Sequence, residues 1–267
     1  MFRALAILAA TAPQFLSILM LEDCGYFAYE VMEPSPLEIV VWLTAGYAST
    51  LLPIVLAFLA LWAPRRFPKA GAICAAVTLV LNALTLVLPD TTPCGQKSSV
   101  WIVLACHAVA ATALLRTRPG PQLPRPRAAV WSAVVLLVLG RALARNFSSD
   151  GIVGCWADLK GTWALTALHL DTAEALYIWV GLAAIGAVLA PHPSAPFVGL
   201  ALLVPALFHP VAWLLSSAPL DCSSPWGLFG WPHLIAGALA LLSQVPVPGR
   251  GGPGLPSERE PARPHSP

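Results

Sequence analysis

Charge is scarce in this sequence: Asp, Glu, Lys and Arg make up 10% of its 267 residues, against 57% hydrophobic ones. A soluble domain carries about 25% charged residues, because surface that faces water must be hydrated. Most of this chain therefore meets something other than water. Also lacking are a C-x-x-C pair, a dense His or Asp cluster, and any catalytic motif or cofactor fingerprint. No metal and no cofactor is expected, and an enzyme is the less favoured class. No basic run is interleaved with aromatics, which leaves nucleic-acid binding unsupported.

What is present is a set of long, unalternating apolar runs, with a mean hydropathy of +0.73. About 20 apolar residues cross the roughly 30 Å hydrocarbon core as a helix. Only helices or closed barrels satisfy every backbone group there, and barrel strands would alternate. Eight segments qualify, at about 4–21, 37–63, 70–89, 99–116, 128–145, 163–190, 196–217 and 226–245. The expected fold is thus all-α, a polytopic transmembrane bundle of about eight spans within 1–246. Met1-Phe2-Arg3 ahead of an apolar run resembles a signal peptide, and its removal would leave seven spans. Against removal, the run ends in Leu21-Glu22-Asp23-Cys24 without a small-residue cleavage site. Residues 247–267 are rich in Gly, Pro, Arg and Glu and read as a disordered tail, since they have nothing to bury.

Orientation follows from the basic residues, which concentrate in cytoplasmic loops. With the N-terminus inside, the inner segments hold eleven of the fifteen: Arg3, Arg65, Arg66, Lys69, Arg116, Arg118, Arg125, Arg127, Arg250, Arg259 and Arg263. Both termini are then cytoplasmic, in a protein of the plasma or cell membrane. The same alternation puts one cysteine in each outer loop, Cys24, Cys94, Cys155 and Cys222, spaced 70, 61 and 67 residues apart. An even set on an oxidising face reads as a disulfide framework with three permitted pairings. The regular spacing also suggests degenerate two-helix repeats, a common transporter architecture, although apolar hairpins resemble one another by chance.

The remaining candidates are polar groups at bilayer depth, where an ionisable side chain is costly and often marks a pathway. His107 falls near the middle of the fourth segment and His209 near the middle of the seventh. Pro205 and Pro210 flank His209 and should kink or break that span. Asp171 and Glu174 share a helix face. About 20 residues counted back from Ala190 reach Asp171, which makes the pair interfacial, whereas a span starting at Trp163 would bury it. Arg141 and Arg145 are partners of similar depth. The competing reading is structural throughout: neutral histidines bonded to neighbouring helices, and an ion pair between spans. His233 is expected at the membrane interface. Tryptophans 42, 101, 156, 163, 226 and 231, with Trp62 and Trp131 opposite, read as an aromatic belt.

Three functions fit. The first is movement of a small solute, ion or proton. The second is a non-catalytic membrane component of a complex, an assembly or envelope protein. The least favoured is an intramembrane enzyme acting on a lipid. The bilayer is the one partner required; a membrane-protein partner or a second copy of the chain is compatible with all three.

Overall fold

A computed structural model describes residues 2–20, 35–88, 96–147, 173–215 and 231–244. They form eight α-helices and, among the described residues, no strand. In order these are α1 (Phe2–Met20), α2 (Pro36–Trp62), α3 (Phe67–Leu84), α4 (Gln96–Leu115), α5 (Arg125–Phe147), α6 (Ala173–Leu189), α7 (Ala195–Leu215) and α8 (Trp231–Leu242). A 3-10 turn, Thr85–Val87, extends α3. Three stretches are long and apolar enough to cross a membrane: Pro36–Trp62, Phe67–Val87 and Arg125–Leu143. Apolar stretches of 10–17 residues occur in α4, α6, α7 and α8.

Local sequence sets the helix ends. Ser35 and Glu38 form a capping box before α2: Ser35 Oγ accepts from Glu38 N at 3.3 Å, and Ser35 N donates to Glu38 Oε2 at 2.5 Å. Two backbone donors that the first turn cannot satisfy are thereby answered. Pro36, in the first turn of α2, gives up no hydrogen bond there. Between α2 and α3, Ala63 closes a tight turn by accepting from Arg66 N and Phe67 N, each at 2.9 Å. In α7 the helix runs on through Pro205 and Pro210, so the expected break does not occur.

Three turns, 63–66, 116–124 and 190–194, gather at one end of the bundle. There Arg3, at the start of α1, donates to Arg118 O beyond α4 and lies over the Phe67 ring of α3 at 5.5 Å. Trp62 Nε1 donates to Ser132 Oγ of α5 at 2.9 Å, and Arg127 donates to Gln244 beyond α8. Odd-numbered helices therefore begin at this end and even-numbered ones finish there. The opposite connections, which carry Cys24, Cys94, Cys155 and Cys222, lie outside the described residues, as do Asp171 and the tail.

Two buried clusters fill the bundle. One is built on α1, α2, α3 and α4, with Val188 of α6. The other is built on α5, α6, α7 and α8, with Ile54, Ala57 and Leu61 of α2. Helices α2 and α6 thus belong to both. The second cluster is dominated by Ala and Val, while Leu84, Trp101, Leu115, Phe197, Val204 and Leu242 point outward. Small side chains inside let helix backbones approach, and large ones outside suit lipid rather than water. Helices α7 and α8 approach closely, since a Cβ on Gly237 would sit 2.9 Å from Gly199 O.

Two expectations about aromatic and polar residues change. Trp131 is fully buried rather than in an interfacial belt: it occupies the space left by Gly186, where an added Cβ would come within 2.5 Å of the indole. His233, expected at interfacial height, faces inward and is buried, with its ring edge-on to Trp179 at 6.1 Å. Depth along a helix is only half of a position, and both residues sit on the inward face.

Candidate functional site: a polar layer within the first four helices

The helix register builds the site. Near the described end, a Cβ on Gly71 of α3 would meet Leu56 of α2 at 2.8 Å and Leu114 of α4 at 3.2 Å. Ile7 of α1 and Val188 of α6 belong to the same apolar cluster. Seven residues, two helical turns or about 10 Å of rise, carry each helix to the next equivalent level. Since odd and even helices run oppositely, that step leads from Ile7 to Gln14, Leu56 to Ser49, Gly71 to Thr78, Leu114 to His107 and Val188 to Gly181. The apolar layer is followed by a polar one. Exposure is 7% at Gln14, 9% at Ser49, 4% at Thr78 and 0% at His107.

Hydrogen bonds join the members of this layer. Asn82, one turn beyond Thr78, donates from Nδ2 to Thr78 O at 2.8 Å and to Ser49 Oγ at 2.9 Å. Ser49 Oγ lies 3.1 Å from His107 Nε2. Gln14 Nε2 donates to Thr50 O at 3.4 Å. A Cβ on Gly181 would come 2.8 Å from Thr11 and 3.2 Å from Gln14 Oε1, so α6 closes over this side of the layer with no side chain of its own. Pro53 has no N–H, so the Ser49 carbonyl four residues earlier lacks its helical donor.

Donor counting fixes the orientation of one side chain. Only the amide NH2 of Asn82 can serve the Thr78 carbonyl, so Ser49 Oγ accepts from Asn82. Ser49 Oγ has a second lone pair as well as its proton, so it donates to His107 Nε2 or accepts from it according to the imidazole tautomer. In either tautomer His107 Nδ1 is buried and has no hydrogen-bond partner among the described residues. A buried polar atom left unanswered costs about 1–3 kcal/mol.

Of the residues singled out in the sequence, His107 alone lies in this layer. Arg141 of α5 is partly buried, in the other half of the bundle. The backbones of His209 and Glu174 lie in α7 and α6, but their side chains are outside what is described. Cys74 and Cys106 are free thiols on α3 and α4. Ser49, Asn82, Thr78 and Gln14 went unremarked in the sequence. An amide inside the apolar run 70–89, and polar residues at seven-residue offsets from apolar ones, were the available signals. Among the described residues no three His, Cys, Asp or Glu side chains gather as metal ligands do. No known protein family, curated protein or solved structure matches the chain.

Proposed function

We propose that this chain is an eight-span integral membrane protein that moves a small solute, ion or proton across the bilayer, with the His107 layer as its binding point. The observation that carries the reading is the buried, unanswered Nδ1 of His107. It is held in place by Ser49 and Asn82 on two other helices. A ring nitrogen donates in one tautomer and accepts in the other, so Nδ1 suits water in a proton-conducting chain or a small polar solute that offers the matching group.

The basic end supports a cytoplasmic position for both termini. On that arrangement Cys24, Cys94, Cys155 and Cys222 face the oxidising side and pair as disulfides. Peptide mapping under a rapid alkylating quench checks this, and four free thiols would remove the framework. Reconstitution into proteoliposomes with a panel of small carboxylates, amides and a proton gradient tests transport itself. The expected result is a flux that His107→Gln strongly reduces without loss of protein. No flux for any member, or flux unchanged by His107→Gln, argues against the reading.

A second reading has its own support. Asn82 has both amide hydrogens engaged, as expected of a clamp between α2 and α3 in a non-catalytic membrane component. Its mark would be an obligate partner that co-purifies and an unchanged phenotype for His107→Gln.

A further inference from the structure

The described end of the bundle carries eight basic residues and no acidic one. Arg65, Arg66 and Lys69 are exposed on the α2–α3 turn and the start of α3; Arg116 and Arg118 are exposed just beyond α4. Arg3 joins these two segments, since it lies over Phe67 of α3 and donates to Arg118 O. Its guanidinium also packs directly on Gly120, where an added Cβ would displace it. The remaining two, Arg125 and Arg127, open α5, and Arg127 is engaged by Gln244. The acidic residues with a described backbone, Glu38 and Glu174, stand near the starts of α2 and α6, at the opposite end.

Exposed like charges repel when they lie closer than the Debye length, roughly 8 Å at physiological salt. Carboxylates normally interspersed on a protein surface would relieve that repulsion, and among the described residues at this end there is none. Counter-charge must come from outside the described chain. The outward apolar faces of α3 and α4 begin at Ile73 and Leu115, within about a turn of Lys69 and Arg116. The cations therefore ring the edge of the lipid-facing surface, at the height of lipid headgroups. Clusters of basic residues just beyond membrane spans attract anionic lipids, each residue adding to the effect.

We infer that this end is a binding surface for anionic phospholipid headgroups, centred on Arg3 between the α2–α3 turn and the segment after α4. The inference is independent of any transport activity.

The test uses the full-length protein in lipid nanodiscs of phosphatidylcholine, with and without phosphatidylglycerol, and reads the thermal unfolding midpoint. Phosphatidylglycerol should raise the midpoint by several degrees, and high salt should erase much of the gain. The triple variant Arg65→Gln/Arg66→Gln/Lys69→Gln, whose side chains are exposed, should fold normally and lose most of the gain. A third arm adds inorganic phosphate to phosphatidylcholine discs and should leave the midpoint unchanged. Equal midpoints in the two lipids would overturn the proposal, and so would full reproduction of the effect by phosphate. Retention of the entire gain by the triple variant would overturn the placement on this surface.

Discussion

The two halves of the bundle solve the same packing problem differently. In α5–α8 the helices meet mainly through Ala, Val and Gly, around a few large buried side chains, Trp131, Leu202 and His233. In α1–α4 the apolar layer gives way, two turns along, to Gln14, Ser49, Thr78 and His107. Van der Waals contact between small residues holds membrane helices together without any polar group. The first half thus carries polar groups that packing alone does not require. Interhelical hydrogen bonds in membranes contribute only about 0.6 kcal/mol on average, while an orphaned polar atom costs more. Trp131 Nε1 and Trp179 Nε1 in the second half are also buried without a hydrogen-bond partner among the described residues. The first half is therefore set apart by its linked side chains, Asn82, Ser49 and His107, to which we assign a binding role, with α5–α8 as the scaffold.

The largest expected effect tests the scaffold. Trp131→Ala removes the indole packed between Gly186 and its neighbours and should cost about 3–5 kcal/mol, read as loss of detergent-extractable folded protein. Gly186→Val strikes the same contact from the other side and should cost roughly 1–3 kcal/mol by overpacking. If either is tolerated, the second half is not the rigid element.

Next comes the polar layer. His107→Leu should destabilise by about 1–3 kcal/mol, because Ser49 loses its partner and is left facing a hydrocarbon side chain. His107→Gln keeps a hydrogen-bonding group and should fold as the native chain does, while losing activity. Equal damage from Gln and Leu would make the layer structural. Asn82→Ala is expected to cost less, on the order of 0.6–1.7 kcal/mol, the range for such bonds in a membrane. The smallest effect belongs to Leu242→Ala on the outer surface, within about 0.5 kcal/mol of native stability.

The helices were legible because each is written as a long apolar run. The run 37–63 became Pro36–Trp62, and 128–145 became Arg125–Phe147, longer because Arg-rich and polar turns at its ends still hydrogen-bond as helix. His107 stood out because an imidazole is rare at that depth. Its companions did not, since a lone Ser or Thr scarcely alters the hydropathy of a window. They become a layer only when five helices are set in register, and register is a tertiary property. The same limit explains His233 and Trp131: their heights were readable, their inward faces were not.

The most direct test asks whether water-soluble reagents reach the polar layer but not its counterpart. In a background with the six native cysteines replaced, Ser49→Cys and Ala183→Cys would each be exposed to a small charged thiol reagent in proteoliposomes. Ser49 borders His107; Ala183 lies in the apolar cluster of the other half. Reaction at Ser49→Cys with none at Ala183→Cys is the expected result. Inertness at both positions, or equal reaction at both, would contradict the division of the bundle into a working half and a scaffolding half.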